Sequence, residues 1–560
     1  MCFNDVLVFR MSTRSSSRLA KAKEVLPKPV EQVSSSKPKR QKKTTAEVLE
    51  TKKPPKSSIT AVAEVDIFVP HREKYRVVVD NTDGFAFTAM LNQTNLADNN
   101  NKFFLIQALE RLDGTGFATW FRWGRVGYAG QTNLTDHDSL DSAIGTFKAK
   151  FADKTSNEWS SKIFKSFKPQ TKKYTLLAVE TLTQAVASDG SAEIVKVEYE
   201  ETKLEKPVYD LIKLISSKEM FESELEIAGI DLTKMPLGTI SAVMIKEGYK
   251  ILKQIEAELL RTAGARSEEL KELSSKFYTV IPHNFRFKKM ISFIINSSAK
   301  VRDKIELLET LEAVKEGVEI KFEPKLHVKS NPVDEQYARL GKSLILVNPS
   351  SEEHAIINRY KDNTQGSTHA FHTSIRNIYK IESPILPKKQ KKTDNNTTLL
   401  WHGSRLTNWM SILSQGLKIA PPEAPHSGYM FGKGIYTADC FSKAAQYCYA
   451  SEHMQSRTGL LVLCEVDLGR SVELFSANYD AANLMGAQYA STKGCGKHAP
   501  SNAEFGMLGD AKVPRGELET VSDELQKQRS LLYNEFIVYD PARVRMKYLV
   551  EVEFTSFRRH

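Results

Sequence analysis

Three stretches carry residues whose types and spacing suit chemistry. LLWHGSR (Leu399 to Arg405) sets a histidine, a glycine and a hydroxyl in a row at His402, Gly403 and Ser404. GYMFGKGIYTADCFSKAAQY (Gly428 to Tyr447) places glycines at 428, 432 and 434 beside aromatics at 429, 431, 436 and 447. Glycine lets a backbone approach a ligand closely, and an aromatic ring offers a flat face for a planar group. LLYNEFIVYD (Leu531 to Asp540) alternates like a strand, which predicts Tyr533 and Glu535 on one face. Glu535 is then a lone carboxylate in an apolar run, and an unpaired buried carboxylate is costly enough to need a partner or a task. Elsewhere, RWGRVG (Arg122 to Gly127) offers Trp123 as a stacking platform and Arg125 as a rigid fork for phosphate. The plainer reading of that motif is a buried Trp and a surface Arg in a hairpin.

The elements that must position these residues fall into four parts. Residues 325–560 show strand signals at SLILVN, TTLLWHGS, GLLVLCEVDLG, NEFIVYD and MKYLVEVEF, interrupted by helical pieces at about 352–363, 406–415 and 441–455. That pattern predicts an α+β domain with a mostly antiparallel sheet. It has no GxGxxG, and GYMFGK falls short of P-loop spacing, so any dinucleotide binds without a Rossmann site. STKGCGKHAPSN (Ser491 to Asn502) reads as a Gly-rich loop over the site, and PKKQKKTDNN (Pro387 to Asn396) as an exposed basic loop. Residues 202–322 carry helix-period segments and predict an all-α bundle, with a Pro near the start of KPVYDLIKLI. Residues 68–180 predict a small α/β domain. There KFFLIQALER and GFATWFRWGRVGY read as adjacent strands joined by a DGTG turn, followed by a helix over 139–151. Residues 1–65, rich in Ser, Lys, Arg and Pro, predict a disordered basic arm. Within it KPKRQKK (Lys37 to Lys43) suits nuclear import or DNA tethering, or is a solvated linker, and Met11 offers a second start.

Composition narrows the partners. The 560 residues carry a net charge of +11, which favours a polyanion. None of the five cysteines forms CxxC and no Cys/His cluster has zinc spacing, so no metal is expected and a reducing compartment fits. No apolar run approaches the roughly 20 residues that span a bilayer, so no membrane is expected.

WHGSR, GYMFGKGIY and LLYNE together resemble the catalytic domain of the poly(ADP-ribose) polymerases, an ADP-ribosyltransferase fold. The resemblance implies a triad of His402, Tyr436 and Glu535 acting on NAD, which is a consumed substrate and not a bound cofactor. His402 would hold a ribose hydroxyl, Gly403 the nicotinamide amide through its backbone, and Ser404 would lie near the ligand. Tyr436 and Tyr447 would sandwich the nicotinamide ring. Lys443 would either neutralise pyrophosphate or bind Glu535. Glu535 would be catalytic, stabilising the oxocarbenium-like ribose through its 2′-hydroxyl. Met430 and Tyr533 fall where the family's acceptor site is expected. Three positions of the NAD site depart from the common pattern: Ala444 for a Ser that bonds the amide, Lys418 for an Arg on the adenosine half, and Ser411 for a Gly.

The remaining domains resemble other parts of the same family. RWGRVG, with QTNLADNNNKFFLIQ before it and TSNEW after it, resembles the WGR domain of its DNA-dependent members. This places Asn101, Lys102, Trp123, Arg125 and Tyr174 near DNA and Trp159 in the core. KPVYDLIKLI, IDLTKMPLG and SKFYTVIPH resemble the regulatory helical domain, which shields the NAD site until DNA binds. The whole matches the shorter, type 2 architecture. It implies a nuclear polymerase activated by 5′-phosphorylated nicks and ends. Its acceptors would be itself, chromatin and repair proteins, and an accessory protein that completes the acceptor site is compatible with this. The rivals are a mono-ADP-ribosyltransferase and a catalytically weak scaffold that binds DNA ends.

Overall fold

A strand meander organises the first folded part of the computed structural model. The structure describes residues 63–557 apart from 81–83, 181–198, 228, 231–238, 262–263, 265, 287, 322–329, 384–395, 427, 449–456, 487 and 523. The arm expected over 1–65 therefore lies outside the described residues except for Ala63 to Val65, and the basic loop at 387–396 except for Asn396.

β1 (Tyr75–Val77), β2 (Thr88–Asn95), β3 (Asn100–Arg111), β4 (Phe117–Arg125) and β5 (Gln131–His137) form an antiparallel sheet that β6 (Thr175–Leu176) completes beside β2. The DGTG turn between β3 and β4 works as expected. Gly114 takes φ +72°, and the Asp113 carboxylate accepts from the Thr115 N–H at 3.0 Å. α1 (Leu140–Thr155) starts at Ser139, whose hydroxyl accepts from the Ser142 N–H. Phe147 and Phe151, one helical turn apart, press on the sheet and enclose Trp159 at ring distances of 4.7 and 4.9 Å. α2 (Ile163–Ser166) follows.

At the centre of this unit lies a buried charge pair outside the expected domain start. Arg122 Nε donates to Asp66 Oδ2 at 2.5 Å, both side chains being fully buried, and Trp120 Nε1 donates to the same oxygen at 2.9 Å. The rings of Phe68 and Phe103 cover the guanidinium at 4.5 and 4.9 Å. Asp66 belongs to the sheet even though its neighbours read as the end of a polar arm.

The helical part comprises α3 (Lys206–Ile215), α4 (Lys218–Ile227), α5 (Ala242–Leu259), α6 (Ser267–Val280) and α7 (Ser298–Lys321). Ser241 caps α5 by accepting from the Met244 N–H. A short pair, β7 (Val179–Glu180) with β8 (Thr239–Ile240), ties the two parts together. β3 is buried on both faces: Phe104, Ile106 and Ala108 face α1, while Phe103, Leu105 and Leu109 join one core with Tyr249, Phe277 and Leu308 of the helices. α3 departs from the expected bundle. Its Val208, Leu211, Ile212 and Ile215 pack in the core of the third part, with Leu344, Tyr379 and Trp409.

That third part opens with α8 (Pro332–Arg339), β9 (Ser343–Leu346), α9 (Glu352–Asn363), β10 (Phe371–Glu382), β11 (Thr397–Ser404) and α10 (Trp409–Gln415). β12 (Ile435–Thr437), α11 (Phe441–Ala445), β13 (Thr458–Asp467), β14 (Ser471–Leu474), β15 (Ser491–Gly494) and β16 (Gly496–Pro500) follow. β17 (Gly506–Leu508), β18 (Ala511–Val513), β19 (Leu518–Thr520), β20 (Leu531–Tyr533), β21 (Glu535–Val538) and β22 (Val544–Phe557) complete it. The main sheet runs β17-β18-β11-β13-β22-β10-β9, and beside it lies β12-β21-β15-β14. Most pairs are antiparallel, as expected. The helix expected over 441–455 is shorter: α11 ends at Ala445, a 3-10 turn covers Gln446–Cys448, and 449–456 lie outside the described residues.

The helices also reach the third part around residues 405–429. Arg405 Nη2 donates to Glu306 Oε2 at 3.1 Å, Lys246 pairs with Glu423 at 2.6 Å, and the His426 N–H donates to Glu256 Oε2 at 2.8 Å. The Tyr429 hydroxyl donates to Glu309 Oε1 at 2.8 Å. Burial pushes the Glu309 carboxyl up to about 7. The Tyr429 hydrogen bond and Arg405 oppose that rise, and Glu306 and Glu312 add to it. Tyr249 faces the same cluster.

Two outcomes follow from these packings. Asp66→Ala leaves a buried guanidinium without its counter-ion and is expected to destabilise this part by about 3–5 kcal/mol, read as a lowered first transition in calorimetry of the full chain. A carboxyl raised above its ordinary 4.5 favours docking most below that value and loses that contribution as pH rises through about 7. Hydrogen exchange at Ala424, Tyr429 and Phe431, corrected for intrinsic rate, should therefore quicken as pH rises from about 4.5 to about 7 and level off above that. In Glu309→Gln that dependence should flatten.

Candidate active site

β11 brings His402 to the edge where the two sheets meet. Trp401 and Ala438 exchange backbone hydrogen bonds at 2.8 and 2.9 Å, which seats β12 beside the end of β11. His402 Nδ1 lies 2.8 Å from the Tyr436 carbonyl oxygen. A carbonyl only accepts, so Nδ1 carries the proton and Nε2 is left as an acceptor. Burial lowers the His402 pKa, against the pull of that hydrogen bond, and keeps the ring neutral. At Gly403 a Cβ would come within 2.1 Å of the Ala444 carbonyl oxygen, so only glycine lets α11 pack this close to β11. The Ser404 hydroxyl accepts from Asn408 Nδ2 at 2.9 Å.

Tyr436 stands on β12, opposite Ile537 of β21. Its hydroxyl donates to Gly432 O at 2.7 Å and accepts from the Phe431 N–H at 2.9 Å, which pins the turn at Gly432 (φ +75°). Burial, with the Glu535 charge adding, pushes the hydroxyl well above its ordinary pKa. Its polar end is committed to that turn, and what Tyr436 presents is a ring. Tyr447, on the 3-10 turn after α11, leaves 46% of its surface open, as a stacking partner requires.

Glu535 opens β21 and is 8% exposed. Its Oε1 is paired with Lys443 Nζ at 2.9 Å. Of the two alternatives for Lys443, the structure takes the glutamate. Burial penalises the ammonium, but the Tyr447 hydroxyl and Glu535 outweigh it and hold the Lys443 pKa above its usual value. Two neighbouring positions are closed: Ala444 is buried, and Ser411 is buried in α10, where its carbonyl accepts from the Ser414 hydroxyl, whereas Lys418, just after that helix, is exposed. Met430 is half-buried against Phe431 and Ile537.

Three expectations are corrected here. Tyr533 and Glu535 do not share one strand face, because the chain crosses between sheets at Asn534: β20 pairs with β16, and β21 with β12 and β15. Tyr533 is only 3% exposed, its hydroxyl bonds Thr368 Oγ1 at 2.9 Å, and its ring packs on His369 and His498, so it offers little to an acceptor. Most of Ser491 to Asn502 forms β15 and β16, not a loop over the site. Its glycines are there because the backbone is crowded: a Cβ on Gly494 would meet the Phe431 ring at 2.4 Å. Asp439 and Asn534, both buried, escaped the sequence reading because their contact joins two segments far apart in the chain.

The second predicted site is partly assembled. Lys102 and Arg125 are register partners on β3 and β4, and the Trp123 ring stacks on Phe104 at 5.7 Å, with the Tyr174 ring edge-on at 6.1 Å. Lys102 is exposed, and Arg125 donates to Asn99 O at 3.2 Å. Asn101 is the exception. It precedes Lys102 on a strand and so points to the opposite face. There it is 1% exposed, accepting from Thr94 Oγ1 and donating to His283 O, where it joins the helices and is closed to DNA. Among the described residues, no group of three or more His, Cys, Asp or Glu gathers as metal ligands, and no helix is long and apolar enough to cross a membrane.

With this geometry in place, three families match the chain. They are the poly(ADP-ribose) polymerase catalytic domain over residues 351–554, the poly(ADP-ribose) polymerase regulatory domain over 202–337, and the WGR domain over 87–166. Among curated proteins, poly [ADP-ribose] polymerase 2-A of Oryza sativa subsp. japonica is 42% identical over 84% of this chain and 71% of its own length. Poly [ADP-ribose] polymerase 2 of Arabidopsis thaliana is 41% identical over 88% and 77%. The human poly [ADP-ribose] polymerase 2 is 39% identical over 84% and 79%. The chain belongs to the poly(ADP-ribose) polymerase family and is an NAD+ ADP-ribosyltransferase.

Proposed function

We propose that the chain builds poly(ADP-ribose) in response to DNA breaks, with Glu535 as the catalytic carboxylate. The observation that carries this is the Lys443–Glu535 pair at 2.9 Å, set on the strand that runs beside Tyr436, whose carbonyl in turn fixes His402. Lys443 engages one carboxylate oxygen. The other oxygen accepts the 2′-hydroxyl of the ribose attached to nicotinamide. As the glycosidic bond lengthens, positive charge builds on that ribose, and a fixed carboxylate lowers the barrier. The His402 Nε2 lone pair accepts a second ribose hydroxyl. Gly403 meets the nicotinamide amide with backbone groups, and the rings of Tyr436 and Tyr447 stack on either side. Ala444 supplies no hydroxyl to the amide, which costs about 1 kcal/mol of NAD affinity. Lys418 keeps a positive charge toward the adenosine half without the planar fork of an Arg.

Lys102, Trp123, Arg125 and Tyr174 form the surface that meets the broken end, reading phosphate and shape and not base sequence. The helices that bond Arg405, Glu423, His426 and Tyr429 shield the NAD site until DNA is bound. Acceptors are the enzyme itself, chromatin and repair proteins and growing chains. The net charge of +11 and the KPKRQKK cluster support a nuclear location.

The deciding experiment is incorporation of labelled NAD by the full chain, with and without a 5′-phosphorylated nicked duplex. A ladder of long products only with DNA is expected; single-unit labelling overturns the polymerase reading. Glu535→Gln should keep DNA affinity and lose elongation by about a hundredfold or more; unchanged product length would remove Glu535 from the mechanism. Arg125→Ala should raise the DNA concentration for half-maximal activation about tenfold and lower the salt slope of binding by about one. An unaltered slope would place Arg125 off the DNA.

A further inference from the structure

Two buried polar residues outside the triad, Asp439 and Asn534, bond each other beside Glu535. Asn534 Nδ2 donates to Asp439 Oδ2 at 2.8 Å, and Asn534 Oδ1 accepts from the Gly496 N–H at 2.8 Å. They are 5% and 3% exposed. Asp439 Oδ1 meets no protein donor, and the side-chain hydrogen bond to this buried carboxylate comes from Asn534. Burial pushes Asp439 up to about 6, with Asn534 and Lys493 opposing. A buried, half-satisfied carboxylate is costly and needs a reason to persist.

Its place in the chain supplies the reason. Asp439 lies between Ala438, which holds β12 to Trp401 beside His402, and α11, which carries Lys443. Asn534 is the residue at which the chain leaves β20 and enters β21, so its orientation sets where Glu535 emerges. The contact therefore spans the foot of the element bearing the lysine and the residue before the glutamate.

Resting on the assignment of Glu535 as the catalytic carboxylate, we propose that Asp439 and Asn534 are positioning residues that clamp α11 to β21 and so set the separation and aim of the Lys443–Glu535 pair. Neither touches substrate; they act through Glu535.

The test exchanges the two side chains in the full, DNA-activated chain and measures kcat and KM for NAD with the melting temperature. Asn534→Asp sets two carboxylates against each other, and kcat is expected to fall about a hundredfold at little-changed KM. Asp439→Asn keeps an oxygen facing Asn534 and should stay within about threefold. The double variant Asp439→Asn/Asn534→Asp keeps one N–H···O contact between the positions, and its new carboxylate still accepts from Gly496. It should regain at least about tenfold over Asn534→Asp. If Asn534→Asp does not fold, Asp439→Ala decides, with kcat expected about tenfold down at unchanged KM. The proposal is overturned if Asn534→Asp, or Asp439→Ala where that variant does not fold, turns over like the parent, or if the exchange restores melting temperature without kcat. Glu535→Gln in the same assay separates the failures. If it stays active, the role of Glu535 is wrong. If it is inert while the clamp variants are unaffected, only the clamp falls.

Discussion

A carboxylate has to be held at the start of an apolar strand, and much of the catalytic part is arranged around that demand. Glu535 is followed on its strand by Phe536, Ile537 and Val538, all buried. Water cannot stabilise the charge there, so a second buried charge must, and Lys443 does so at 2.9 Å. To bring that lysine close, α11 has to lie against β11, and this is possible because Gly403 has no side chain to strike the Ala444 carbonyl. The same approach carries Tyr447 to the rim, where its ring stays open. One electrostatic requirement thus accounts for a glycine, a short helix and an exposed aromatic.

The hydroxyl of Tyr436 and the ring of His402 follow a second logic, that of groups whose protonation is set by backbone carbonyls. Gly432 O takes the tyrosine proton and Tyr436 O takes the Nδ1 proton. What remains uncommitted is the face of the tyrosine ring and the Nε2 lone pair of the histidine. The lysine–glutamate pair sets charge beside them, which suits a reaction whose transition state carries positive charge on the sugar.

Much of this was legible in the residues. His402, Tyr436 and Glu535 sit in motifs that resemble the family's, and the structure places them on three neighbouring strands. Strand signals in the sequence also located β3, β4, β11, β13 and β22. What stayed hidden depends on which face of an element meets which neighbour. Asn101 and Lys102 are adjacent in sequence and opposite in space, and only the presence of α6 and its following turn behind the sheet decides which is buried. Glycines 494 and 496 look like loop punctuation, yet they are there because Phe431 and Tyr533 crowd the strand backbone. Asp66 reads as the end of a polar arm until its arginine, far along the chain, is known.

β3 has both faces covered, one by α1 and the other by the helices that also bond Arg405 and Tyr429. No boundary between separately wetted surfaces exists along it. Drawing the helices away from the sheet exposes Phe103, Leu105 and Leu109 to water together, and hydrating apolar surface raises heat capacity. The separation therefore carries a positive heat-capacity change, and its free energy is curved in temperature. The apolar attraction across the sheet weakens on cooling, so the contact between the two parts is softer in the cold than at moderate warmth.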